Sequence, residues 1–131
     1  ASKRIELICS MEQKKTLVLG ASENPGRYSH MAVQLLRAKG HPVVALGKKA
    51  GQVGDTIIDT GRPELQDIDT ITLYLNPDHQ KAYYDYLIAL KPKRIIFNPG
   101  TENEALEDLA LANGIQPVEA CTLVLLNTGQ Y

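Results

Sequence analysis

From Lys15 onward, short apolar runs alternate with segments whose apolar residues recur at helical spacing, and this rhythm constrains the fold more than any other feature. Thr16-Leu17-Val18-Leu19-Gly20 has charged residues before it and small ones after it, as a strand buried on both faces does. Turn formers fill Ala21 to Arg27. A helix is predicted over Ser29–Lys39, where Ala32, Val33, Leu35 and Leu36 form an apolar stripe and Gly40 supplies the stop. Val43–Leu46 reads as a second strand, followed by a glycine- and lysine-containing loop from Gly47 to Gly54 and a weak strand over Thr56–Asp59.

The second half repeats the pattern. Thr70–Leu75 is a strand closed by Asn76-Pro77, an N-cap residue followed by a proline suited to the first helical position. The helix it opens is predicted to run to about Leu90, short of Pro92. Arg94–Phe97 is the next strand, ended by Asn98-Pro99-Gly100. Thr101 and Glu104 have the spacing of a capping box, opening a helix to about Asn113 with Gly114 as its stop. Ile115–Val118 is the last core strand.

Strands separated by helices at this interval imply βαβ units with right-handed crossovers. The expected fold is α/β, a three-layer Rossmann-like domain with a parallel sheet of about five strands. Residues 1–14, with mixed charge and weak periodicity, are set apart as an N-terminal arm or edge strand, leaving one domain over 15–131. Ligands of such sheets bind beyond the carboxyl ends of the strands. The turns Gly20-Ala21-Ser22, Asn76-Pro77 and Asn98-Pro99-Gly100 occupy those ends, with Leu46 and Leu75 as the strand residues leading into the site.

Composition removes several alternatives. Fourteen basic and fifteen acidic residues give a net charge of −1, without the basic excess of a nucleic-acid binder. The longest apolar runs fall far short of the roughly 20 residues that cross a bilayer, so no membrane partner is expected. Two cysteines, Cys9 and Cys121, are too few for a disulfide scaffold or a zinc cage and suit a reducing cytoplasm. The three histidines share no ligand spacing, which argues against a metal site.

The loop after the first strand reads Gly20-Ala21-Ser22-Glu23-Asn24-Pro25-Gly26-Arg27-Tyr28-Ser29. Glycine lets the backbone turn sharply and approach a phosphate, and free N–H groups at a helix start favour an anion. Ser22 and Ser29 can add hydroxyl donors, and Ser29 can equally serve as an N-cap. The loop is longer than the GxGxxG dinucleotide fingerprint and does not match it.

NAD-binding domains place an acidic residue near the end of the second strand to hold ribose hydroxyls. Here Ala45-Leu46-Gly47 stands there and Lys48-Lys49 follows. Two cations suit a ribose carrying its own phosphate, as in CoA (3′) or NADP (2′).

In these residues the chain resembles the stand-alone CoA-binding domain proteins, relatives of the CoA-binding domain of the succinyl-CoA synthetase α subunit, over about residues 15–125. Gly20, Ala21, Ser22, Pro25 and Ser29 match that family's first loop, and Asn76-Pro77 and Asn98-Pro99-Gly100 match its later turns. Glu119-Ala120-Cys121 stands where the family commonly has Asp-x-Cys. The family's Pro-Val-Asn-Pro is absent after the second strand; Gly47-Lys48 is closer to the synthetase version, where a lysine approaches a CoA phosphate. The resemblance implies CoA or acyl-CoA as ligand, held by these turns together with Tyr28, Leu46, Lys48, Lys49 and Leu75.

No serine, histidine and acid follow a nucleophile-elbow pattern. Cys121, just past the last strand, reads first as a small apolar residue and second as a thiol able to form a mixed disulfide. Tyr83, Tyr84 and Tyr86 fall at the spacing of a core face. The sequence therefore predicts a non-catalytic module for a small nucleotide ligand, CoA or acyl-CoA. Its alternatives are an NADP-binding or redox-sensing domain and an interaction module that lost its ligand. A homodimer or a protein partner stays open.

Overall fold

The computed structural model describes residues 13–131, so the reading of residues 1–12 as an arm or edge strand lies outside the described residues. Strand β1 (Thr16–Leu19) runs parallel between β2 (Val43–Leu46) and β5 (Thr70–Leu73), with Thr16 in register with Val43 on one side and Thr70 on the other. With β3 (Gly51–Val53), β4 (Thr56–Asp59), β6 (Arg94–Phe97) and β7 (Gln116–Glu119) the sheet has seven strands in the order β3-β4-β2-β1-β5-β6-β7.

Two expectations are corrected here. The strand count rises from about five to seven, and the sheet is not wholly parallel, because β3 pairs antiparallel with β4. Three residues with a single buried apolar side chain, Val53, gave β3 no alternation to read, and Gly54 supplies the positive-φ turn that folds it onto β4.

The central strands send alternate side chains into two cores. Leu17, Leu19, Ile71, Leu73, Ile95 and Phe97 face one way, where Leu87, Leu106 and Ala110 cover them. Those last three come from α3 (Tyr84–Ala89) and α4 (Glu104–Ala112). Val18, Ala45 and Ile58 face the other way, under Val33 and Leu36 of α1 (Tyr28–Ala38) and Leu126 of α5 (Thr122–Asn127). Each fully buried Val, Leu, Ile or Phe side chain among these contributes about 1.5–3 kcal/mol. Tyr83, Tyr84 and Tyr86 pack against the first core, as their spacing predicts.

Helix boundaries differ from the sequence reading in physical detail. The segment predicted as one helix from Asn76 is α2 (Pro77–Gln80), a 3₁₀ turn (Lys81–Tyr83), then α3. Asn76 caps it as predicted, its side chain accepting the N–H of His79 at 3.0 Å. Thr101 and Glu104 do not form a capping box. Asn103 is the N-cap of α4, accepting the N–H of Leu106, while the Thr101 hydroxyl donates to Asn98 O at 2.7 Å. At the amino ends of the strands, the Tyr131 ring lies 4.4 Å from the Arg94 guanidinium and 5.0 Å from the His41 ring. Its hydroxyl bonds the Thr16 hydroxyl.

Candidate functional site

At the opposite, carboxyl ends of β1, β2, β5 and β6 lies a cleft of about 680 Å³. The reversal of strand order at β1 opens this position: the chain passes from β1 to β2 on one side and returns to β5 on the other, all three strands parallel.

The β1–α1 loop forms its floor. Gly20 has φ +97° and a Cβ there would meet the Tyr74 backbone at 3.0 Å, so both conformation and space require glycine. The amides of Gly20 and Ala21 both donate to Leu46 O, at 2.8 and 2.9 Å, which fixes the turn to the end of β2. Ser22 Oγ accepts the N–H of Asn24, and Asn24 Oδ1 accepts that of Gly26, so side chains shape the rest of the loop. The buried His30 ring holds the loop from α1, with Nδ1 3.0 Å from Ser22 O.

Helix α1 points its first turn at the cleft, where Tyr28 and Ser29 line the wall, and that turn carries no acidic residue. Arg27 is its N-cap in backbone terms; Ser29 lies one position inside the helix and is buried. Ser29 is therefore not the cap. Tyr28 is 70% exposed, an aromatic face left open at the mouth.

From the β2–β3 loop come Lys48 and Lys49, and from the far side Leu75, Asn76, Pro99 and Gly100. Of the residues expected at the site, five stand outside the lining. Pro25 is exposed on the loop, Pro77 begins α2, and Leu46 is buried in the core. Gly47 is needed for close approach, since a Cβ would lie 2.4 Å from Ala21 O. Asn98 is buried beneath the rim, with all its amide bonds made inside the fold.

The sequence reading missed Glu23, Asn24, Arg27, Ala50, Tyr74, His79 and Thr101, all of which reach the cleft. Arg27 offered a signal, a cation directly before the helix start. The others depend on loop paths that periodicity does not encode. Burial pushes the Tyr74 phenol up to about 12, and among the described residues its hydroxyl has no hydrogen-bond partner.

The rim on the α4 side is braced by a buried polar cluster. Gln80 Nε2 donates to Leu75 O and Thr101 O, both at 2.8 Å, and its Oε1 accepts from Asn103 Nδ2 at 2.9 Å. Such fully bonded buried groups hold their loops in one geometry. Cys121, half-buried at the N-cap of α5, does not line the cleft. Among the described residues no three His, Cys, Asp or Glu side chains are grouped to hold a metal ion.

An open cleft at the carboxyl ends of a mostly parallel sheet, covered by helices on both faces, defines an α/β protein of the Rossmann-like class. The chain belongs to the CoA binding domain family, which matches it over residues 14–127. That membership supports a CoA-type small molecule as ligand. A crystal structure of an uncharacterized protein is 48% identical, with a TM-score of 0.89, covering 92% of this chain and 99% of that one. A structure from Thermus thermophilus, 20% identical, superposes with a TM-score of 0.80, covering 97% and 98% of the two chains. A hypothetical protein from Pyrococcus horikoshii OT3, 21% identical, gives 0.81 with coverage of 98% and 91%. These last two show the fold alone. Comparison with curated proteins gives no match. No helix among the described residues is long and apolar enough to cross a membrane.

Proposed function

We propose that this chain binds CoA or an acyl-CoA in the cleft and acts as a binding module without a reaction of its own. One observation carries the reading: Arg27, Lys48 and Lys49 border the cleft and, among the described residues, make no salt bridge, while Glu23 is the one carboxylate in the lining. Free cations around a glycine turn and a helix start suit a ligand with several phosphates. In this reading the Gly20-Ala21-Ser22 turn and the Tyr28–Ser29 helix start receive the pyrophosphate. Lys48 and Lys49 receive the ribose phosphate. Leu75-Asn76 and Pro99-Gly100 flank the pantetheine arm.

A second reading, NADP, shares the phosphorylated ribose and draws on the same two lysines. Melting temperatures with CoA, dephospho-CoA, acetyl-CoA, NADP and NAD at matched concentration separate the two. Ligand at about 100 times its Kd adds roughly 2.7 kcal/mol, several degrees for a domain of this size. A shift with CoA that shrinks for dephospho-CoA supports the proposal. A shift with NADP alone transfers it to the second reading, and no shift with any of the five removes both.

A further inference from the structure

Glu23 reaches from the β1–α1 loop to the edge of the sheet. Its Oε2 accepts the backbone N–H of Gln52 at 3.2 Å. Its side chain lies so flat on Gly51 that a Cβ there would come within 2.3 Å of both Glu23 Cγ and Cδ. Gln52 belongs to β3, the antiparallel edge strand, so the carboxylate covers a donor that the sheet leaves unpaired.

The bond also acts on the loop that carries the lysines. That loop is anchored at its β2 end by Gly47, whose N–H donates to Asp59 O at 2.9 Å and where an added Cβ would lie 2.4 Å from Ala21 O. At its other end the contacts of Glu23 with Gly51 and Gln52 join it to the same β1–α1 loop. Lys48, Lys49 and Ala50 are the whole span between the two anchors, and all three line the cleft. A span so short follows its ends.

We infer that Glu23 is a positioning residue, a latch that holds Lys48 and Lys49 at the cleft and thereby sets the preference for a phosphorylated over an unphosphorylated ribose. The inference rests on the CoA reading for its ligand, and on geometry alone for the latch. The backbone amide, not a side chain, is the group held, so the acceptor oxygen matters more than the charge. Glu23 is exposed and outside both cores, so removing it leaves the fold intact.

Three variants test it. Glu23→Ala removes the acceptor, Glu23→Gln keeps an oxygen acceptor without the charge, and Gly51→Ala pushes the carboxylate away while altering neither it nor the lysines. In the ligand-free protein, loss of the bond speeds amide hydrogen exchange at Gln52 by about tenfold in the two alanine variants, with Glu23→Gln near the parent. In the presence of ligand, the ratio of dephospho-CoA to CoA dissociation constants falls by about threefold in the same two variants and is retained by Glu23→Gln. Unchanged exchange at Gln52 in both alanine variants overturns the latch. Faster exchange with an unchanged ratio overturns its role in ribose preference. A parent protein that binds neither CoA nor dephospho-CoA removes the CoA reading and with it the ribose role, and exchange at Gln52 still decides the latch.

Discussion

Asn98 Oδ1 accepts the backbone N–H of Thr122 at 2.9 Å and so joins the end of β6 to the start of α5. The same side chain donates through Nδ2 to Thr72 Oγ1 at 2.7 Å and to Leu73 O at 2.8 Å. One buried amide thus holds two neighbouring strands and a helix under the cleft rim. Asn98→Ala removes three buried bonds, leaving the Thr122 N–H without its partner while Thr72 Oγ1 keeps its bond to Thr122 Oγ1 at 2.8 Å. Its expected cost in urea unfolding is about 2–4 kcal/mol. A loss under about 0.5 kcal/mol contradicts the role of hub.

Gly47→Ala tests the weld between the first two loops. The added methyl meets a backbone carbonyl, Ala21 O, rather than a movable side chain. Either the floor of the cleft or the end of β2 must shift, at about 1–3 kcal/mol. Both unfolding and CoA titration should register the change; a variant matching the parent in both refutes the close contact.

Replacing Lys48 and Lys49 together by alanine is expected to weaken CoA binding about tenfold and to leave dephospho-CoA within about twofold. Isothermal titration measures both. Equal losses for the two ligands assign the lysines a general attraction for anions instead of a contact with the ribose phosphate.

Tyr74→Phe removes a buried hydroxyl that has no partner among the described residues. The variant is expected to gain about 1 kcal/mol in stability, since the hydroxyl's desolvation is no longer incurred. A loss of similar size reveals a bond to the neighbouring Thr72 or Thr122.

His41 should make the fold sensitive to acid. Its Nδ1 accepts the N–H of Lys14 at 2.9 Å, a bond available only to the unprotonated nitrogen. Burial, with the charges of Lys14 and Arg94 outweighing that of Asp69, holds its pKa below the ordinary 6.5. The unfolded chain therefore binds the proton more readily. The contribution of His41 is complete above about pH 6.5 and declines as the pH falls toward the folded-state value. Urea midpoints at about pH 7.5 and pH 5.5 should diverge more for the parent than for His41→Asn. Equal divergence contradicts the assignment.

The strands at the centre of the sheet were legible because burial on both faces leaves a continuous apolar run, as in Leu17-Val18-Leu19 and Ile95-Ile96-Phe97. β3 was not, because an edge strand of Gly-Gln-Val carries too little apolar side chain to show a period. The Thr101–Glu104 spacing pointed to a capping box, but Asn103 stands nearer the helix and has the extended backbone of an N-cap. In the cleft, Gly20, Ser22 and Lys48 were legible by their place after a strand. Glu23, His79 and Thr101 were not, since their direction is set by loop geometry and by bonds to residues far along the chain. Asn98 shows the opposite case, a polar residue at a strand end that the fold uses for itself.

The Tyr131 clamp has a practical consequence. The protein has six tyrosines and no tryptophan, so its near-ultraviolet signal is phenolic throughout. Tyr131, between Arg94 and His41 at the amino ends of the strands, reports whether that pole is assembled. Tyr28, 70% exposed, stands at the mouth of the cleft at the other pole. Isotopic labelling of the tyrosine rings therefore gives two spectroscopic channels native to the chain, Tyr131 at the strand amino ends and Tyr28 at the cleft mouth, with no dye attached to either.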